Sequence, residues 1–235
     1  MNHQVVGARV PDWKPAPRLL NPPMRGAYVR LVPLSGVHDV DLFVALGQDT
    51  DDDLWTYRPT PRPTTVAQMG EVIGAAMGNP TYVIVPTQGP RASRPAGLAS
   101  YLRVDPGNGS AEVGAVIFAN SLQRTRAATE AIHLMMAHAF EQRYRRLEWK
   151  CDALNEPSRR AAVRLGFRFE GRFAQHMVVK GRNRDTDWFA VTDAEWPAVG
   201  EAHRAWLAPD NFEPDGRQRV SLSSLTVHIP DARLI

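Results

Sequence analysis

The chain has 235 residues, 43% of them hydrophobic and 23% charged, which suits one domain with appendages and a sizeable core. A formal charge of +3 is too mild to identify a partner, no apolar run approaches the ~20 residues that cross a bilayer, and the first twenty residues lack a signal's basic start and apolar centre. The single cysteine, Cys151, excludes an internal disulfide framework and gives no metal-ligand spacing, so a cytoplasmic protein without a metal is expected.

Residues 1–27 carry prolines at 11, 15, 17, 22 and 23 without a sustained period and read as an extended lead that either packs on the domain or stays loose. The main domain, 28–207, opens with a strand over 28–32. Helical stretches over 38–48 and 64–77 follow, separated by the loop DTDDDLWTYRPTPRP, whose Trp55 and Tyr57 either line a binding site or form a lid on the core. A short apolar strand covers 81–85, and 86–95 is a turn-rich connection. Strands over 96–104 and 110–118 flank Asp105-Pro106-Gly107-Asn108-Gly109, a strong hairpin signal.

The clearest helix spans 123–143, with Ala128, Ile132, Met135, Met136, Ala139 and Phe140 on one apolar stripe. His133 and His138 fall on its polar side and are expected to be solvated. Arg146-Leu147-Glu148-Trp149-Lys150-Cys151 alternates strictly, predicting a strand whose Trp149 and Cys151 face the core. A helix over 156–165 stops at Gly166, strands over 167–179 and 186–191 surround a turn at Gly181-Arg182-Asn183, and Asp193 is placed to cap a last helix ending near Leu207. Arginine clusters at 143–146, 159–160 and 182–184 read mostly as solvated charge. The polar extension over 208–235 is expected to be partly disordered. This order predicts an α/β fold with a mixed, mostly antiparallel sheet flanked by helices. Walker, Rossmann, HExxH and GxSxG patterns are absent, which removes several common enzyme classes.

Leu122-Gln123-Arg124-Thr125-Arg126-Ala127-Ala128-Thr129-Glu130 follows a strand and opens the long helix. A helix amino terminus offers unpaired N–H groups and partial positive charge, which suit a diphosphate, and small residues let phosphates approach the backbone. The segment resembles the pyrophosphate motif Q/R-x-x-G-x-G/A of the GNAT acetyltransferase superfamily, with Gln123 and Ala128 matching and Arg126 in place of the central glycine. Asn155-Glu156-Pro157-Ser158, continuing to Leu165-Gly166-Phe167, is similar to that family's asparagine-led helix ending in a Gly-Phe turn. On the residues alone, Asn155 is a cap and Pro157 a first-turn residue. Phe169-Glu170-Gly171 and the segment 180–186 are similar to the late hairpin of the branch that includes the ribosomal-protein N-terminal acetyltransferases.

The resemblance, over 28–196, implies a GNAT-like fold that binds acetyl-CoA and passes the acetyl group directly to a primary amine, on a protein N-terminus or a small molecule. It implies neither a membrane nor a nucleic-acid partner and leaves room for a homodimer. Gln123, Arg124, Thr125, Arg126, Ala127, Ala128, Thr129, Asn155 and Ser158 are the cofactor contacts it implies. Ala162 stands where many relatives carry an acidic tyrosine, so Ser158 is the expected acid for the leaving thiolate, with capping or packing as its other role. Glu112 on a central strand is the expected base or acceptor anchor, with a structural ion pair as the alternative. His176 is the second base candidate, and a backbone N–H within 113–118 is the expected oxyanion donor. Two other readings stand beside this one: a non-catalytic acyl-CoA-binding regulator, suggested by Arg126 and the missing tyrosine, and a basic ribosome- or RNA-associated module, suggested by the arginines.

Overall fold

Alternating apolar residues build a single eight-stranded sheet in the computed structural model, which describes residues 4–48, 50 and 52–229. The strands are β1 (Met24–Arg25), β2 (Val29–Pro33), β3 (Thr81–Pro86), β4 (Gly97–Asp105), β5 (Ser110–Phe118), β6 (Arg146–Asp152), β7 (Arg168–Val179) and β8 (Arg182–Thr192). They lie in the order β1-β2-β3-β4-β5-β6-β8-β7, and every neighbouring pair is antiparallel except β5 with β6. The helices are α1 (Asp39–Phe43), α2 (Val66–Ala76), α3 (Arg126–Glu141), α4 (Glu156–Arg164), α5 (Trp196–Leu207) and α6 (Leu222–Thr226). None of the described helices is long and apolar enough to cross a membrane.

Period-two alternation sends the strands' apolar side chains to two cores. On one face Tyr101, Ala111, Val113, Leu147 and Trp149 pack with Ile132, Met135 and Met136 of α3. On the other, Val83, Val85, Leu98 and Ile117 pack with Leu42, Leu46, Trp55, Met69 and Ile73 around α1 and α2. This second core takes no residue from β6, β7 or β8, so polar groups of those strands are left facing the α1/α2 side.

The early helical stretch fills its expected span in three forms: a 3₁₀ turn, Gly36–His38, then α1, then a π-helical turn, Val44–Gln48. The long helix begins at Arg126, because Thr125 takes the cap and Gln123 stays in the preceding loop. Glu195, not Asp193, organises the start of α5: its carboxylate accepts from the N–H and hydroxyl of Thr192 at 2.9 and 2.8 Å and pairs with Arg168 at 2.6 Å. Of the two expectations for the lead, packing on the domain holds for its later part: Leu19 is buried and the Ala16 N–H reaches the Pro106 carbonyl at 2.9 Å. The extension beyond Leu207 is also ordered through residue 229, with Leu222 and Thr226 of α6 buried and the Trp206 indole donating to Gln218 at 2.7 Å. The remaining residues, 230–235, lie outside the described ones. Of the clustered arginines, Arg143, Arg145, Arg160 and Arg182 are exposed, while Arg146 pairs with Glu148 and Glu170, and Arg159 with Asp187 and Glu156.

Glu130 joins α3 to the start of the sheet. Its buried carboxylate accepts the N–H groups of Ala27 at 2.8 Å and Tyr28 at 2.6 Å, and a Cβ on Gly26 would collide with it. Glu130→Ala strands both donors and is expected to cost about 2–4 kcal/mol in urea unfolding. A loss below about 0.5 kcal/mol, the size of an ordinary surface change, contradicts that role.

His133 is not solvated. Its ring lies 5.4 Å from that of His203 and 5.7 Å from Trp196, between α3 and α5, and both histidine Nδ1 atoms are buried without a hydrogen-bond partner among the described residues. His203 Nε2–H donates to the Leu165 carbonyl at 3.1 Å, and His138 Nε2 is within 3.1 Å of the Leu20 carbonyl. Burial pushes His133 down to about 4 and His203 to about 3. Unfolded histidine titrates near ~6.5, so the unfolded chain takes up protons first as pH falls. This pair therefore leaves stability intact above about pH 6.5 and erodes it as pH drops toward about 3. His133→Phe, which keeps the ring contacts, is expected to flatten that slope in unfolding measured across pH; an unchanged slope contradicts it.

Candidate active site

The parallel strands β5 and β6 stay paired only at Ser110 with Arg146, Ala111 with Leu147 and Glu112 with Glu148. Beyond that point β5 follows β4 and β6 follows β8, so the two part. The edge of β5 from Val113 to Phe118 is left without a strand beside it. A bulge lies within it: Ala115 has φ +50°, and Ala115 and Val116 together oppose Ala99, since Gly114 pairs with Ser100 and Ile117 with Leu98. Backbone donors and acceptors along such an edge can pair with the amides of an extended ligand.

The loop after β5 leads directly to the amino terminus of α3. Gln123 Nε2 donates to the Phe118 carbonyl at 2.9 Å, which ties the loop to the end of β5. Arg124 takes a left-handed φ of +60°, and Thr125 Oγ1 caps the helix by accepting the Ala128 N–H at 3.1 Å. Ala127 and Ala128 add almost no bulk, so the first-turn backbone remains approachable. Arg126 leaves this loop altogether: its guanidinium is clamped between the rings of Tyr28 and Phe212, at 4.6 and 4.5 Å. An arginine can therefore replace the motif's glycine without filling the loop. Thr129 departs from the expected cofactor contact, because its side chain is fully buried and its hydroxyl accepts from Arg164 at 2.7 Å.

Residues from opposite faces of the sheet meet this gap. On the α3/α4 side, Asn155 Oδ1 caps α4 by accepting the Ser158 N–H at 3.1 Å, and the Trp149 indole donates to Ser158 Oγ at 3.0 Å. Burial raises the neighbouring Cys151 thiol to about 11, which makes it a poor nucleophile. On the α1/α2 side, Glu112 is 3% exposed and ion-paired with Arg103 and with Lys150, the latter at 3.4 Å. Lys150 also pairs with Glu148 at 2.7 Å and sits 3.5 Å above the Trp188 ring. His176 is exposed on β7, with Nδ1 2.9 Å from Thr186 Oγ1 and its ring 6.1 Å from Trp188, and it is linked to Glu112 through Trp188 and Lys150.

The loop between α1 and α2 supplies a wall. Trp55 belongs to the core, with its indole donating to the Leu46 carbonyl at 2.7 Å. Tyr57 Oη donates to the Leu154 carbonyl at 2.9 Å, and Lys180 Nζ reaches the Trp55 carbonyl at 2.8 Å. These bonds stretch the loop from α1/α2 to the β6–α4 turn and the tip of the β7–β8 hairpin. Arg103, Lys150 and Trp188 were missed in the sequence. Strict alternation in 146–151 places Lys150 opposite Trp149, but nothing in that pattern gives its register with Glu112.

Residues 29–168 match the family described as the acetyltransferase (GNAT) domain. The chain belongs to the GNAT acetyltransferase family. Among solved structures, a GCN5-related N-acetyltransferase from Brucella melitensis is 40% identical, with a TM-score of 0.88 over 93% of this chain and 100% of that one. A GNAT-family protein from Chromobacterium violaceum ATCC 12472 is 34% identical, with a TM-score of 0.75 over 84% and 99%. An acetyl transferase from Salmonella typhimurium that modifies the N-terminal serine of a 50S ribosomal subunit protein shares the fold at 20% identity, with a TM-score of 0.62 over 71% and 96%. No curated protein matches the chain.

GNAT acetyltransferases use acetyl-CoA, and this member's residues fit it: the capped amino terminus of α3 can take the diphosphate, and the unpaired edge of β5 can take the amide-bearing arm. Among the described residues no cluster of three or more His, Cys, Asp or Glu side chains could hold a metal. Trp149→Phe removes the donor that fixes the Ser158 hydroxyl. It is expected to lower kcat roughly 2- to 10-fold while the KM for acetyl-CoA holds, which is the loss of one neutral hydrogen bond. A change confined to KM contradicts this positioning.

Proposed function

We propose that this acetyltransferase moves the acetyl group of acetyl-CoA directly onto a primary amine, with Glu112 and Ser158 acting from opposite faces of the sheet. The observation that carries the reading is the gap between β5 and β6, with a buried carboxylate on one side and a hydroxyl on the other. Acetyl-CoA, when bound, supplies an acetyl group activated as a thioester. Gln123 to Ala128 and the cap residue Asn155 hold the nucleotide end and frame α4. Glu112 draws the acceptor's ammonium to the α1/α2 side and takes up its proton as the new C–N bond forms. A backbone N–H within 113–118 steadies the charge that develops on the acetyl oxygen. Ser158 Oγ accepts from Trp149, passes its own proton to the sulfur as the C–S bond breaks and takes up the second proton of the acylated nitrogen, so the two protons lost by the ammonium end on Glu112 and on the CoA thiol.

An α-amine titrates near ~8 and a lysine near ~10.4, so a protein N-terminus or a similarly weak small amine needs the least help from a base. The Salmonella relative's N-terminal serine acceptor agrees with that class. Exposed His176 serves at the acceptor's entrance as an auxiliary proton carrier.

Release of the CoA thiol, followed with a panel of N-terminal peptides and small amines, tests the proposal. Ser158→Ala is expected to lower kcat on the order of 10²-fold with acetyl-CoA affinity retained. Glu112→Gln is expected to lower kcat/KM for the amine by a similar factor. Thiol release at wild-type rates in both variants contradicts the assignment, and CoA binding without release on any amine favours a non-catalytic protein.

A further inference from the structure

The acceptor side of the gap contains more hydrogen-bond donors than its own residues satisfy. Lys150 and Arg103 are matched by Glu112 and Glu148, and Arg146 by Glu148 and Glu170. Arg58 and Arg184 are not matched: the Nε of each is buried without a partner, and neither forms an ion pair among the described residues. The Trp188 indole Nε1 is a third buried donor without a partner among the described residues. Leaving such groups unsatisfied is costly, and native structures rarely do so without cause.

All three belong to the walls already described. Arg58 adjoins Tyr57 in the loop that is fastened to Leu154 and to Lys180. Burial lowers the Arg58 proton affinity, and no carboxylate opposes that shift. Arg184 lies on β8 in the same two-residue alternation as Thr186 and Trp188, and its charge is felt at both Arg103 and Cys151. Trp188 lies beneath Lys150, which contacts Glu112. These three are N–H donors, two of them cationic, whereas Glu112 Oε2, also buried without a hydrogen bond among the described residues, is held by the charges of Arg103 and Lys150. The complement of the three donors is a group made only of acceptors.

Resting on the amine-acetylation reading, we propose that the acceptor carries an oxyanion, a carboxylate or a phosphate, in the same molecule as its amine. The amine lies at Glu112 and the oxyanion against Arg58, Arg184 and the Trp188 indole. A guanidinium N–H and an indole N–H both make strong bonds to an anionic oxygen, which gives selectivity that an apolar amine lacks.

The first test does not depend on turnover. Inorganic phosphate is titrated into ¹⁵N-labelled protein at constant ionic strength, with chloride as the exchanged ion, and the Nε–H signals of Arg58, Arg184 and Trp188 are followed. Saturable shifts of all three are expected, and their loss in Arg184→Gln; absence of saturation in the wild-type protein overturns the inference. The second test compares kcat/KM for matched amines: an amino acid with its amide, and O-phosphoethanolamine with ethanolamine. A preference of about 10- to 100-fold for the anionic member of at least one pair is expected, and the pair that shows it separates carboxylate from phosphate. Acetylation of amines with no such preference overturns this inference and leaves the proposed function standing. Saturable phosphate shifts with no acetylation of any amine overturn the proposed function and leave the oxyanion site standing.

Discussion

Everything at the candidate site depends on the parting of two parallel strands. Sheet strands normally satisfy each other's backbone groups, and an interior edge without a partner is a liability unless something else fills it. Here β5 and β6 pair for three residues and then separate inside an otherwise continuous sheet, just past Glu112 and Glu148. The bulge at Ala115 bends β5 away from β6, while β6 continues to pair with β8 as far as Asp152. The result is a slot through the sheet, with unspent hydrogen-bonding capacity along one side and the amino terminus of α3 at its end.

Several buried charges hold the flanks of that slot. Glu130 fixes α3 to the chain entering β2 by binding two backbone N–H groups. Asp187, fully buried on β8, takes Arg172 from β7 and Arg159 from α4, at 2.6 and 2.7 Å, and so ties the asparagine-led helix to the late hairpin. The Arg172 guanidinium, together with Arg159, holds the Asp187 carboxyl below the usual carboxylate range. The clamp of Arg126 between Tyr28 and Phe212 draws the extension beyond Leu207 against the start of α3. The extension therefore packs against the start of α3 as part of the domain.

Much of this was legible in the sequence because local patterns carried it. The apolar stripe of α3, the hairpin at 105–109, the alternation of 146–151 and the cap-to-glycine span of α4 each encode a local structure, and each is present. What the sequence concealed depends on register and on contacts between distant segments. Glu112 could be marked as a costly carboxylate, but its partners Arg103 and Lys150 follow from strand pairing. His133 falls on the polar side of its helix by periodicity, yet α5 covers that side and buries the ring. The extension beyond Leu207 reads as polar and turn-rich, and contacts with distant segments order it: α6 packs on α4 and α5, and Phe212 packs on Arg126 of α3.

Amide hydrogen exchange with and without CoA tests the slot most directly. If the parted strands and the capped helix receive the cofactor, CoA slows exchange within 113–118 and 124–128 and leaves the β2–β3 pair unchanged. Protection confined to other segments, or none at saturating CoA, contradicts the account.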